Sequence, residues 1–209
     1  HADILQMFMD AVDPETGARL DNDSLVAEAS VMLVAGSDTA AFTLMWTFDL
    51  LFQHPRVFRK LEAEILARFP SRDAVIAFKD AKELAYLDAV ILESMRVRAV
   101  AGQLIPRVVP AGGRVLGGHF IPGGYGVGAS LESVHRDPSV FDEPTLFKPE
   151  RFVDGTADEL AMRRQHVIPF SVGVRSCLGR QLALAEIYTA VPTLIRRFVI
   201  QPAEQPYPP

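Results

Sequence analysis

The stretch PFSVGVRSCLGRQLALAEI, residues 169–187, holds Cys177, the only cysteine in the chain. It sits between a glycine-bearing loop and a pattern that predicts a long helix. Phe170, Gly173, Arg175, Cys177 and Gly179 fall within ten residues of one another. Gly173 lets the chain turn, with positive φ, close to something bulky. LGRQLALAEI follows at once, so Cys177 lies near a helix N-terminus, where unsatisfied N–H groups favour a thiolate. Arg175 adds positive charge and is equally suited to hold a carboxylate. Three readings of the sulfur stand open on these residues: an inert thiol, the usual fate of a lone cysteine; a nucleophile, which needs a histidine base; or a ligand. His119, His135 and His166 are present, and nothing in the sequence brings one of them to the sulfur.

The 209 residues are enough to bury a core, in one or two domains. A net charge of −5, with no Lys/Arg stripe carrying interleaved aromatics, gives no reason to expect nucleic acid. One cysteine excludes an internal disulfide and fits a reducing compartment. The chain starts at His1 and ends in the proline-rich QPAEQPYPP, so both ends read as cuts in a longer protein. No targeting segment is visible.

Working outward, the pattern is mainly helical. A short helix precedes the turn-rich DPETGARLDND. Residues 24–52 predict a helix apolar nearly all round, roughly 44 Å long. Glu28, Asp38 and Asp49 divide it into uncharged runs shorter than the ~18 residues of a membrane span, which favours burial inside a soluble protein. Amphipathic helices follow at about 55–69, started by Pro55, and at about 84–98, with Leu87, Val90 and Ile91 as the apolar stripe. Glycine and proline punctuate short β-prone runs over about 106–132, which read as a small twisted sheet of hairpins. A proline-rich coil covers about 133–168 and is long enough to be a packed functional loop. The final helix covers about 178–197. Pro192 falls late in it and is expected to kink or end it, at a cost of about 3 kcal/mol in a helix interior. The fold class is mainly α with a small β-sheet.

Three further constellations stand out. AGSDTA, residues 35–40, puts polar residues inside the apolar helix at a cost in propensity and desolvation. Gly36 leaves a groove for a ligand, Thr39 competes for a backbone carbonyl, and Asp38 could serve a proton relay; the alternative is a kink with its polar groups satisfied internally. Glu93 and Arg96 form an i,i+3 pair, by default a surface salt bridge worth a few tenths of a kcal/mol. Arg151, in KPERF, offers a second guanidinium, and a Glu shared by two Arg would make a buried network that pins its loop. Arg107, in IPRVVP, is by default solvated.

Taken in order, these motifs resemble the cytochrome P-450 superfamily of haem-thiolate monooxygenases, in a fungal style. FSVGVRSCLG matches every fixed position of the family's haem loop, F-x-x-G-x-R-x-C-x-G; AGSDT, ESMR and PERF match its distal-helix, E-x-x-R and P-E-R-F motifs, and HRDP is similar to eukaryotic members. The resemblance spans residues 1–209 as the C-terminal part of that fold, with the haem-thiolate loop at 169–179. It implies Cys177 as the proximal ligand of haem b (iron protoporphyrin IX), whose thiolate favours O–O cleavage. Phe170, Gly173 and Gly179 would shape that loop, and Arg175 and Arg107 would hold the haem propionates. Asp38 and Thr39 would deliver protons to dioxygen. Glu93, Arg96 and Arg151 would form a structural triad; Ala35, Gly36, Val100 and Leu104 would border a small apolar organic substrate. Electrons would come from NADPH through a reductase. The full-length parent would sit on the cytosolic face of the endoplasmic reticulum membrane through an N-terminal anchor outside this chain. The helices before the distal helix and the strands after the proximal one are absent, which leaves the apolar distal helix partly exposed and raises the alternative of a truncated, non-catalytic fragment unable to hold haem. A thiol enzyme built on Cys177 leaves AGSDT and KPERF unexplained. RVRAVAGQLIP lacks the proline common after the E-x-x-R arginine.

Overall fold

A computed structural model describes residues 3–103 and 105–202, in two units, 1–41 and 42–209. In the first, Asp3 caps α1 (Ile4–Asp10) by accepting from the Gln6 N–H at 2.8 Å. A bridge between Val12 and Arg19 closes the following turn, around Asp13. Helix α2 (Asn22–Gln53) then begins, its first turn held by the Asp21 carboxylate accepting from Ser24 N–H at 2.7 Å.

Helix α2 changes character along its length. Val26, Val31, Leu33 and Val34 are exposed, and a buried face starts only with Ala40, Thr43, Thr47, Leu50 and Leu51. The apolar pattern is expected to bury the whole helix; the described residues bury only its C-terminal part. Within residues 1–41 the other helix is α1, seven residues long and itself without a buried residue, so this unit supplies no surface to cover it. By length and composition alone α2 could also cross a membrane.

The core of the second unit draws on the end of α2 and on the helices that follow it. Pro55 starts α3 (Pro55–Arg68), and Val57, Leu61 and Ile65 recur four apart to make its inner stripe. A one-turn helix, α4 (Phe78–Ala81), leads to α5 (Ala85–Val97). The first N–H groups of α5 are satisfied from another element: both oxygens of Glu64, on α3, accept from Tyr86 and Leu87 N–H at 2.9 Å. Leu87, Val90 and Ile91 are fully buried, and so is nearly everything around them.

The β region is two separate two-stranded antiparallel ladders. β1 (Arg107–Val108) pairs with β4 (Gly126–Val127), and β2 (Arg114–Leu116) with β3 (His119–Ile121). Gly117 and Gly118, with φ of +55° and +82°, make the two-residue turn of the β2–β3 hairpin, which needs left-handed backbone at both positions.

The expected coil over 133–168 contains more helix than its prolines suggest. Ser130 caps α6 (Leu131–His135), Pro149–Phe152 is a 3₁₀ turn, and α7 (Ala157–Gln165) begins at a reciprocal capping box between Thr156 and Glu159. Helix α8 (Arg180–Arg197) buries Ile187, Tyr188, Val191 and Ile195. It does not end at Pro192, which is itself buried in that stripe. Packing of the apolar face outweighs the lost hydrogen bond.

Candidate functional site

The Glu93–Arg96 pair is no surface salt bridge. Glu93 is 0% exposed, Arg96 1% and Arg151 5%. Arg96 Nε and Nη2 donate in parallel to the two Glu93 oxygens at 2.7 and 2.8 Å. Its remaining donors reach the carbonyls of His135 (2.8 Å), Pro144 (2.6 Å) and Leu146 (3.1 Å), so all five guanidinium protons are used. Phe141 lies beneath, its ring centre 4.8 Å from the guanidinium carbon.

Arg151 reaches the same carboxylate from the 3₁₀ turn. Its Nε donates to Glu93 Oε1 at 3.0 Å, and Lys148 N–H to the same oxygen at 2.9 Å. The other Arg151 donors meet Asp142, both carbonyl and carboxylate at 2.9 Å, and the carbonyls of Glu143 and Leu146. Burial would raise the Asp142 carboxyl, but Arg151 and Lys148 outweigh it and hold it below the ordinary range. One buried carboxylate thus ties α5 to the coil before α7, with every guanidinium donor satisfied.

The cysteine loop is of the opposite kind. Gly173 adopts φ +73°, as its place in the motif predicts, and Ser171 adopts φ +59°. Cys177 N–H donates to the Phe170 carbonyl at 2.8 Å, and Ser176 N–H to the Gly173 carbonyl at 3.0 Å, folding the loop back on itself. Cys177 is a free, exposed thiol. Around it in the chain Val172, Val174 and Leu178 are exposed, while Phe170 is half-buried with Arg180 stacked over its ring at 5.9 Å. Gly179 is the N-cap of α8 and offers no side-chain acceptor. Arg175 is exposed and, among the described residues, in no ion pair.

Arg107 stands on β1, its guanidinium turned onto the carbonyls of Pro106 (3.0 Å) and Ile105 (3.4 Å). On α2, AGSDTA remains helical throughout. Thr39 Oγ1 does bond back to the Ala35 carbonyl, at 2.7 Å. Ala35, Gly36 and Asp38 are exposed, and a Cβ at Gly36 would meet nothing within 4 Å. Val100 is exposed in the turn after α5, and Leu104 lies outside the described residues.

Two polar residues of this region escape the motif reading. Glu64 holds the start of α5 as described. His135, read as part of HRDP and as one of the histidines with no evident path to the sulfur, is fully buried, and its Nε2 accepts the Ile168 N–H at 2.9 Å. Burial, then the nearby Arg96 charge, push its pKa down to about 4.

The donor set fits a haem. A softly basic sulfur stands out from a loop whose exposed neighbours are apolar, as a flat, mostly apolar macrocycle requires, and Arg175 has no carboxylate partner of its own among the described residues.

The comparisons with known proteins agree with this fit. The family model described as Cytochrome P450 matches residues 1–209. The cytochrome P450 monooxygenase helB1 of Aspergillus fumigatus is 34% identical over 95% of this chain and 33% of its own length. The cyclooctat-9-en-7-ol 5-monooxygenase of Streptomyces melanosporofaciens is 35% identical over 97% of this chain and 43% of its own. A crystal structure of a cytochrome P450 superposes with a TM-score of 0.84 at 29% identity, covering 98% of this chain and 45% of that one. The chain spans between about a third and a half of the length of the curated relatives it matches. With mainly helical architecture, small sheets and a family match along its whole length, the chain belongs to the cytochrome P450 superfamily.

Proposed function

We propose that this chain is the haem-thiolate half of a monooxygenase that inserts one oxygen atom of dioxygen into a small apolar organic substrate, in secondary metabolism or detoxification. The observation that carries the reading is the cysteine loop: a free sulfur held outward by the Cys177–Phe170 backbone bond and the left-handed turn at Gly173, among exposed apolar side chains. Haem b, when bound, supplies the activation of dioxygen and the oxygen transfer. Cys177 would hold it through the sulfur, and Phe170, Gly173 and Gly179 would shape the loop that presents that sulfur. Arg175 and Arg107 would hold the propionates.

The chain's other residues bind, orient and move protons. On α2, Asp38 carries a proton and Thr39 Oγ1 passes it toward dioxygen; the back-bond of Thr39 to Ala35 is the rest position of that hydroxyl. On α2, Ala35 and Gly36 border the substrate, the bare face of Gly36 leaving room against the helix. Glu93, Arg96 and Arg151 do no chemistry and hold the coil that leads to the loop. Electrons come from NADPH through a reductase. The parent is held to the cytosolic face of the endoplasmic reticulum membrane.

The test is the spectrum of the full-length protein, reduced and carbon-monoxide-bound. The strongly red-shifted Soret band of thiolate ligation is expected, and it should vanish in Cys177→Ala. Retention of that band and of turnover by the variant would overturn the reading.

A further inference from the structure

His135 serves two structures at once. Its carbonyl accepts from Arg96 Nη1 at 2.8 Å, inside the buried carboxylate–guanidinium network. Its ring Nε2 accepts from the backbone N–H of Ile168 at 2.9 Å, at the entry to the cysteine loop. The loop's own bonds run on from there: Ser171 N–H to the Ile168 carbonyl at 2.9 Å, then Cys177 N–H to the Phe170 carbonyl at 2.8 Å. This one imidazole therefore bridges the network and the sulfur-bearing segment. Because Nε2 accepts, the ring must be neutral with its proton on Nδ1. An imidazolium would set N–H against N–H and break the bridge. His135 is 0% exposed, and α6 is held at its start by Ser130 and at its end by Arg96, so the ring has little freedom to turn away.

We infer that His135 is a positioning residue: its ring nitrogen fixes the entry of the cysteine loop against the Glu93–Arg96–Arg151 network and so sets the stance of the Cys177 sulfur. The consequence for ligation rests on the reading of Cys177 as the haem ligand; the anchoring of the loop does not.

Two readouts on the full-length holoprotein separate these claims. His135→Leu removes the acceptor, whereas His135→Gln returns an oxygen near the place of Nε2. Amide hydrogen exchange in a peptide covering residues 168–177 should quicken at least tenfold in H135L and stay within twofold of wild type in H135Q. The thiolate-type carbon-monoxide spectrum should convert to its blue-shifted, thiolate-free form at least tenfold faster in H135L, and again at the wild-type rate in H135Q. Equal exchange in all three proteins would overturn the anchoring. Faster exchange in H135L with unchanged spectral lifetime would overturn the claim on the sulfur. A wild-type protein with no thiolate spectrum would sink the haem reading, and the exchange comparison would still decide the anchor. Should H135L fail to fold, His135→Asn, too short to reach Ile168, takes its place with the same expectations.

Discussion

The buried carboxylate network and the cysteine loop lie in the same folded unit and answer opposite demands. In the network each polar group is consumed internally: Glu93 serves two guanidiniums and a backbone N–H, and both arginines spend every proton on carboxylate or carbonyl oxygens. In the loop the sulfur, Arg175, Val172, Val174 and Leu178 are all exposed, and the internal bonds are backbone bonds that shape the turn. The first region therefore satisfies its polar groups from within, while the second leaves its functional groups exposed. A protein that must present a ligand atom in a fixed place needs both, one to be rigid and the other to be available. The contrast predicts that substitutions in the network will act on folding and those in the loop on ligation.

The largest effect on stability is expected from Glu93→Ala. It leaves the buried Arg96 guanidinium without a counter-charge and Arg151 with only the exposed Asp142 carboxylate, a loss of about 3–5 kcal/mol. Denaturant unfolding of the full-length protein should show the midpoint falling accordingly, or no folded protein at all. A variant that unfolds like wild type would mean that the network contributes no rigidity.

Next comes pH. The folded state holds His135 neutral, with a pKa of about 4 against 6.5 for a free imidazole. Unfolding at acid pH therefore binds a proton. This contribution is complete above pH 6.5, erodes as pH falls toward 4, and amounts to about 3 kcal/mol in full. H135Q should lose less stability than wild type across that window, measured as the difference in unfolding free energy at pH 7 and pH 5. Parallel slopes for the two proteins would contradict the buried neutral ring.

Much of this architecture was readable in advance, for reasons that differ by element. The inner stripe of α3 and the Leu87–Val90–Ile91 face of α5 follow from helical spacing, because burial of apolar side chains is what makes those helices form. The turn at Gly173 was readable because left-handed backbone restricts the choice of residue. The burial of Glu93 and Arg96 was suggested only by the second guanidinium, Arg151, and not by the pair itself. An i,i+3 pair is the same in sequence whether wet or dry, and here the decision is made by the carbonyls of His135, Pro144 and Leu146, which a pattern of side chains does not encode. Helix α7 was missed because it buries no residue and so carries no stripe; its only written signal is the T-x-x-E box at Thr156. The long apolar run of α2 pointed to full burial, yet apolarity states a need for cover and not where the cover comes from, and the described residues cover it only from Ala40 onward.

A smaller cost is expected from Gly173→Ala. A Cβ there would meet no atom within 4 Å, so the penalty is backbone strain alone, at φ +73°. That is about 1–2 kcal/mol for a left-handed residue other than glycine. The loop can relieve part of it by opening, which should show as faster exchange at residues 173–177 with the helical core unchanged. Exchange that quickens equally in α3 and α5 would mean that loop and network are not separable.

The smallest effect on stability, and the sharpest test of the contrast, is Cys177→Ala. The thiol is exposed and, among the described residues, the loop is shaped around it by main-chain bonds that alanine keeps. Surface substitutions of this kind stay within about 0.5 kcal/mol. The haem-free full-length variant should therefore unfold at the wild-type midpoint, while its thiolate spectrum is abolished. If instead the variant were destabilised as strongly as Glu93→Ala, the sulfur would be part of the core, and the division between a rigid network and an available ligand would fail.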